Sequence, residues 1–166
     1  MLAGDVDAYE ELVRRWQRPL FRLAWRFVRD EPLAEEMVQE AFIRAYRALP
    51  AWRGESAFST WLFAIAANVY RTFLRRLRAP AEPLADIASD ADPSHELEAG
   101  RRDAAVRRAV ASLPALYREA VVHFYFQEQG VEETAAILGI PPGTLKARLH
   151  RARKLLAAKL ERMVAR

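Results

Sequence analysis

Residues 131–156 have the residue types and spacing of a DNA-binding helix-turn-helix. A short helical stretch stops at Leu138, and Gly139 then permits the left-handed conformation that a tight turn needs. Pro141 and Pro142 set the backbone angle for a second helix that starts directly afterwards. Two helices joined by such a turn form the motif that inserts its second helix into the major groove of DNA.

The second helix of this motif has one apolar face and one polar face. At 100° per residue one apolar stripe is formed by Leu145, Leu149, Ala152, Leu156 and Leu160. Residues 143–166 hold eight Lys or Arg side chains against one acid, Glu161. The N-terminal half would meet base edges and the cations would meet phosphates, unless the helix is an ordinary bundle helix with a solvated basic face. The predicted DNA-contacting residues are Gly143, Thr144, Lys146, Ala147, Arg148, His150, Arg151 and Lys154.

The composition predicts an all-α protein without metal or catalytic chemistry. The 166 residues are rich in Ala, Leu, Glu and Arg, contain six glycines, and show no strand-like alternation. The chain has no Cys and its three His are scattered, so no metal or other cofactor is predicted. No nucleophile–base pair is recognisable, so no catalytic residue is predicted. Without a spanning apolar run or a signal peptide, the expected location is the cytoplasm.

Charge divides the chain into two basic lobes and an acidic connector. Residues 1–78 carry a net charge of +3, residues 79–100 carry −6, and residues 101–166 carry +7. The connector also holds three prolines, which favour an extended, flexible linker. The sequence therefore predicts two small helical domains, 1–78 and 101–166, joined by linker 79–100. Basic lobes favour a polyanionic partner.

Hydrophobic periodicity predicts three or four helices in the first domain and four in the second. Asp7 is the expected N-cap of a helix that ends near residue 29, with Glu10 completing a capping box. Asp30 and Pro32 start a second helix that ends near residue 49, and Ser56 caps a third over 57–78. The C-terminal helices are predicted at 95–112, at 114–127 with Pro114 in the first turn, at 131–138 and at 142–162.

Four motifs, in order along the chain, resemble those of bacterial sigma factors of the extracytoplasmic-function (ECF) type, in the sigma-70 family. The motifs are the segments 34–46, 52–68, 113–120 and 143–153. The resemblance covers nearly the whole chain, which makes it far more specific than a lone helix-turn-helix. It implies a factor that binds core RNA polymerase and directs promoter-specific initiation. Its N-terminal domain would read and melt the minus-ten element, and its helix-turn-helix would read the minus-thirty-five element.

The resemblance also implies residues for polymerase binding. Glu36, Gln39 and Glu40 fall on the positions that grip the β′ clamp of polymerase, and Arg44 follows one turn later. Acids on an exposed helix face can pair with a basic partner surface, although such acids are also common on solvated faces. The C-terminal domain would dock on the β flap.

The minus-ten residues follow from the same resemblance. Asn68 falls on a base-contacting position, and the loop 52–56 is where the family holds a flipped-out base, with Trp52 or Phe58 available to stack on it. Phe58 and Trp61 are nevertheless expected in the core. The predicted minus-ten residues are Trp52, Arg53, Ser56, Asn68, Arg71, Arg75 and Arg76.

Other features leave alternatives open. The acidic linker is either a plain tether or, as the resemblance favours, a segment that threads through polymerase toward the RNA exit path. An anti-sigma factor that covers the polymerase-binding faces is an implied partner. Thr134 stands where the family has a larger aliphatic residue, which predicts looser packing of the first reader helix. The alternatives to a sigma factor are a stand-alone helix-turn-helix regulator and an enzyme or adaptor that uses the bundle as a scaffold.

Overall fold

The computed structural model describes residues 6–78 and 98–165, and these residues form an all-α structure, as predicted. The described helices are α1 (Val6–Val28), α2 (Glu31–Ala48), α3 (Phe58–Arg78), α4 (Glu98–Ala111), α5 (Ala115–Phe126), α6 (Val131–Leu138) and α7 (Pro142–Val164), with a 3₁₀ turn at Leu49–Ala51. Residues 79–97 of the predicted linker lie outside the described residues. Both interpretations of the linker therefore stay predictions.

The helices divide into two compact units. The N-terminal unit is built on α1, α2 and α3, and α2 packs against both other helices. Leu20 of α1, Met37 of α2 and Leu62 of α3 are almost fully buried in its core. The hydroxyl of Tyr70 donates to the carbonyl oxygen of Leu20 at 3.0 Å, which satisfies a buried polar group and ties α3 to α1.

The capping predictions had mixed outcomes. The prediction for Asp30 is confirmed, because its Oδ1 accepts the backbone N–H of Leu33 at 2.8 Å. The prediction for Asp7 is wrong, because α1 starts at Val6 and places Asp7 inside the first turn. The prediction for Ser56 is also wrong, because α3 starts at Phe58. Both errors are shifts of one or two residues, on the scale at which helix ends are least determined by local sequence.

Tyr9 joins α1 to α2, and its hydroxyl donates to the carbonyl of Phe42. Burial raises the pKa of Tyr9 to about 12 from an ordinary value of 10.0. Between pH 10 and pH 12 the unfolded chain therefore loses a proton that the folded chain keeps, and stability falls as the pH rises through this window.

Replacement Y9F is expected to make this alkaline loss of stability less steep by about one proton. Urea unfolding, followed by tryptophan fluorescence from pH 8 to pH 12, measures the slope; all four tryptophans lie within residues 16–61. Below pH 9 the two proteins should show the same slope. Identical slopes above pH 10 would contradict the prediction.

The C-terminal unit is built on α4, α5 and α7 with the start of α6. Leu145, Leu149 and Ala152 of α7 are buried together with Val122 of α5. Pro114 precedes the first turn of α5 as its N-cap, so its predicted place inside that turn is wrong by one residue.

The turn between α6 and α7 has the predicted geometry. Gly139 adopts φ +66°, in the left-handed region that favours glycine. Its N–H donates to Ala136 at 3.2 Å, and the N–H of Ile140 donates to Ala135 at 3.0 Å. These two bonds form a Schellman motif, which ends α6 and allows α7 to start at Pro142.

Thr134 of α6 is fully buried, and its hydroxyl has no hydrogen-bond partner among the described residues. A buried hydroxyl without a partner costs about 1–3 kcal/mol. Replacement T134V keeps the shape of the side chain and removes this cost, so it is expected to stabilise the C-terminal unit by about 1 kcal/mol. Replacement T134S keeps the hydroxyl but loses a methyl group, and is expected to destabilise the unit by about 1 kcal/mol.

Urea unfolding followed by far-UV circular dichroism measures both effects. Tryptophan fluorescence in the same samples reports the N-terminal unit and serves as an internal reference. A T134V protein that unfolds at lower urea concentration than the unmodified protein would refute the interpretation.

Candidate nucleic-acid interface

The outer face of α2 carries the residues predicted to bind polymerase. Glu36 and Gln39 are exposed, whereas Met37 and Ala41 on the opposite face are fully buried. Glu40 is half-buried, and its Oε1 accepts Nε of Arg44 at 2.6 Å. The structure therefore brings the predicted residues together on one helix face, where Glu40 and Arg44 form an ion pair.

A groove between α1 and α2 adjoins this face and was missed by the sequence analysis. It encloses a cavity of about 670 Å³. Its lining residues are Gln17, Arg18, Phe21, Arg22, Glu35, Val38 and Gln39. Arg18 and Arg22 lie one helical turn apart and are both exposed. Their i,i+4 spacing places them on the same face of α1, and this was the feature of the sequence that could have indicated a basic surface there.

The loop between the 3₁₀ turn and α3 is held by three aromatic rings. The ring centroids of Trp52 and Phe58 are 5.5 Å apart, those of Trp52 and Trp61 are 5.9 Å apart, and those of Phe58 and Trp61 are 5.5 Å apart. All three residues are half-buried, so the expectation that Phe58 and Trp61 fill the core holds only in part. The Nε1 of Trp52 is buried without a hydrogen-bond partner among the described residues.

Beside these rings lies a cavity of about 300 Å³. Its lining residues are Ala51, Trp52, Arg53, Glu55, Ser56 and Trp61. The predicted residues Trp52, Arg53 and Ser56 therefore come together at one site. The cavity also includes Glu55, which lies in the predicted loop but was not among the predicted contact residues, and Trp61, which was expected in the core.

The remaining predicted minus-ten residues follow one another along α3. Asn68 is exposed, and its Oδ1 accepts Nη1 of Arg71 at 3.0 Å, which orients the side-chain amide. Arg75 and Arg76 are exposed near the end of the helix, and the guanidinium of Arg76 lies 5.9 Å from the ring centroid of Phe73. This surface offers one amide that can contact a base edge and several cations for phosphates.

The predicted DNA-reading face of α7 is exposed over its N-terminal half. Gly143, Lys146, Ala147, His150, Arg151 and Lys154 are exposed, and Thr144 and Arg148 are half-buried. Leu145 and Leu149 are buried on the opposite face, whereas Leu156 and Leu160 are half-buried. The two-faced character predicted from the periodicity is therefore present over the N-terminal half of α7.

Arg153 differs from the other cations of α7 because it is bound within the C-terminal unit. Its Nε donates to the hydroxyl of Tyr125 at 2.7 Å, and its guanidinium lies 5.8 Å from the centroid of that ring. This contact connects α7 to α5.

Comparison with known families identifies the chain. The family model of sigma-70 region 2 matches residues 12–79, and that of sigma-70 region 4 matches residues 103–156. The ECF RNA polymerase sigma factor SigM of Mycobacterium tuberculosis is 38% identical over 157 residues, which are 94% of this chain and 79% of that protein. The chain belongs to the ECF sigma factors of the sigma-70 family.

Solved structures agree with this ECF sigma factor in fold. The structure of CnrH in complex with the cytosolic domain of CnrY has a TM-score of 0.71 and 26% identity, and the match covers 95% of this chain and 90% of CnrH. The sigma factor RpoE of Bartonella quintana, solved with the anti-sigma factor NepR, has a TM-score of 0.72 and 23% identity, with coverage of 93% and 97%.

Family membership decides the function at the level of the whole protein. This ECF sigma factor directs promoter-specific transcription initiation and is not an enzyme. Membership therefore decides against a stand-alone regulator and against a scaffold for other chemistry. No helix within residues 6–78 and 98–165 has the length and apolar character to cross a bilayer.

Proposed function

We propose that three surfaces of this sigma factor divide the work of initiation. The α2 face with Glu36, Gln39 and Glu40 binds the β′ clamp of core RNA polymerase, with Arg44 at its edge. The cavity loop and α3 read and melt the minus-ten element. The exposed face of α7 reads the minus-thirty-five element while the C-terminal unit docks on the β flap.

The observation that supports this proposal most directly concerns α7, whose exposed face lies opposite a buried face. Lys146, His150 and Arg151 are exposed, while Leu145 and Leu149 on the other side are almost completely buried. A helix anchored in this way presents its polar face in a defined orientation, which direct contact with base edges requires.

The proposal includes two further expectations. An anti-sigma factor would hold this protein inactive by covering its polymerase-binding faces. The structure of RpoE with NepR supports this expectation, because it is a complex between a sigma factor of the same fold and an anti-sigma factor. The place of action would be the cytoplasm, because a sigma factor acts on RNA polymerase there.

Reconstituted transcription tests the proposal. The purified chain is mixed with core RNA polymerase and promoter templates that carry or lack each of the two elements. We expect the chain to co-purify with core and to start transcription only where both elements are present. A chain that neither binds core nor initiates from any promoter would overturn the assignment of surfaces.

Replacement N68A is expected to impair promoter opening about tenfold while leaving core binding unchanged, because one amide contact to a base edge is lost. Permanganate reactivity of unpaired thymines measures opening, and co-purification measures core binding. A template melted in advance over the minus-ten element should recover part of the activity. Unchanged thymine reactivity would argue against this role for Asn68.

A further inference from the structure

The groove between α1 and α2 carries opposite charges on its two walls. Arg18 and Arg22 line it from α1, and Glu35 lines it from α2. All three side chains are exposed, and within the described residues none of them forms an ion pair. Because the fold holds these charges apart, a ligand can bind both walls without first breaking an existing pair.

The basic wall belongs to a row of cations along α1. Arg22, Arg26 and Arg29 follow one another at intervals of three to four residues. Burial, together with the like charges of Arg29 and Arg22, lowers the pKa of the Arg26 guanidinium. Arginine still keeps its proton at neutral pH, so these side chains repel one another in the free protein. A bound anion would relieve this repulsion.

The groove also offers an apolar, partly aromatic surface. Phe21 and Val38 line it, and Phe21 is half-buried. The ring of Phe21 is stacked with that of Trp25, with centroids 6.2 Å apart and planes inclined by 21°. This contact restrains a ring on which a planar base can stack. The cavity volume of about 670 Å³ lies within the roughly 300–1,000 Å³ that small-molecule sites occupy.

The two walls restrict the chemistry of the ligand. Paired guanidinium groups bind phosphate oxygens through charge-assisted hydrogen bonds. A carboxylate only accepts, and it accepts two hydrogen bonds at once from donors that lie side by side. Among the common bases, guanine has such a pair in its ring N1–H and its N2 amino group. Adenine and cytosine place a ring-nitrogen acceptor beside the amino group, and this acceptor would repel a carboxylate.

We propose that this groove binds a guanine nucleotide, with the base at Glu35 and the phosphates at Arg18 and Arg22. Phe21 supplies the stacking surface, and the amide of Gln39 lies at the groove for the ribose hydroxyls. Gln39 also belongs to the face proposed to bind polymerase, so a bound nucleotide would compete with core. Only this competition rests on the proposed function, since binding of the nucleotide needs the free chain alone.

Isothermal titration calorimetry of the full chain measures the binding. The ligands are GDP, ADP, guanosine and inorganic pyrophosphate, at one fixed salt concentration. We expect GDP to bind at least about tenfold more tightly than ADP, because a bidentate contact to a base edge is lost with adenine. Guanosine and pyrophosphate should each bind more weakly than GDP. Equal affinities for GDP and ADP, or for GDP and pyrophosphate, would overturn the proposal.

A first variant assigns the base preference to Glu35. In E35Q the preference for GDP over ADP should fall to less than about threefold, because an amide group presents a donor where guanine also presents one. Glu31 is an exposed carboxylate one turn earlier on α2, outside the groove, and E31Q should leave the preference unchanged. An unaltered preference in E35Q would refute recognition of the base by this carboxylate.

A second variant assigns the phosphates to the basic wall. R18A/R22A should weaken GDP at least about tenfold and leave the affinity for guanosine unchanged, since guanosine has no phosphate. R107A/R108A removes the same number of exposed cations from α4 and should change neither affinity. Equal losses for GDP and guanosine in R18A/R22A would show that these arginines do not hold the phosphates.

Competition with core polymerase is measured separately. Saturating GDP should lower the affinity of the unmodified chain for core, whereas the core affinity of R18A/R22A should not respond to GDP. A chain that binds GDP but keeps its core affinity would refute the competition and leave the nucleotide site standing. A chain that fails to bind core even without nucleotide would instead contradict the proposed function, and calorimetry on the free chain would still decide the nucleotide site.

Discussion

Exchanging Glu40 and Arg44 in the double variant E40R/R44E is expected to lower the affinity for core RNA polymerase by at least about tenfold. The exchange preserves net charge and an ion pair one turn apart on α2, which is 2.6 Å long in the unmodified protein. It reverses only the order of charges that a partner would meet. Like charges brought together across an interface cost several kcal/mol, so the pattern itself is tested.

The chain supplies a matched control for this exchange. Glu10 and Arg14 form an ion pair of the same spacing and the same 2.6 Å length on α1. E10R/R14E therefore carries the same small penalty for reversing an i,i+4 pair, which is a few tenths of a kcal/mol. Core affinity, measured by competition with labelled unmodified sigma factor, should fall for the α2 exchange alone. Equal affinities for both exchanges would contradict polymerase binding by this face.

Loss of the reader cations in K146A/R151A is expected to reduce the advantage that a minus-thirty-five element confers on a promoter by at least about tenfold. A good side-chain contact to a base edge contributes about 1–3 kcal/mol, or roughly 5–150-fold, of discrimination. Both side chains are exposed on the N-terminal half of α7. The measurement is the ratio of transcription from templates with and without the element, at one fixed salt concentration, because phosphate contacts depend strongly on salt.

Arg162 provides the control on the same helix. It is exposed in the last turn of α7, and R162A removes a charge without touching the proposed reading surface. It should leave the ratio unchanged. A variant that lowers transcription equally with and without the element would indicate phosphate contacts only, and an unchanged ratio in K146A/R151A would refute base reading by this face.

Local sequence predicted the helices of this protein well where short-range chemistry decides the outcome. Gly139 adopts the positive φ that the turn after α6 requires. Asp30 caps α2 because its Oδ1 accepts the backbone N–H of Leu33, three residues later. Both bounds of α6 were predicted correctly, because the turn that follows it is built from neighbouring residues. The caps at Asp7 and Ser56 were misplaced, since several nearby residues could start the same helix equally well.

Residues of the candidate site were predicted in part. The exposed faces of α2 and α7 follow from helical periodicity, because burying one stripe exposes the opposite one. The functional roles of Glu36, Asn68 and the others came from the resemblance to the sigma-70 family, and they stay predictions until the variants are made. Periodicity alone would not separate these side chains from an ordinary solvated surface.

The helix-turn-helix, the division into helices and the family were thus determined by the sequence itself, since each depends on residues close together in the chain or on motifs in a known order. Tertiary structure decided which separate segments share a cavity. Trp61 and Glu55 line one site because α3 packs its first turn against the loop, and Arg18 joins Gln39 because α1 lies beside α2. Packing between elements creates such juxtapositions, and no local periodicity encodes them.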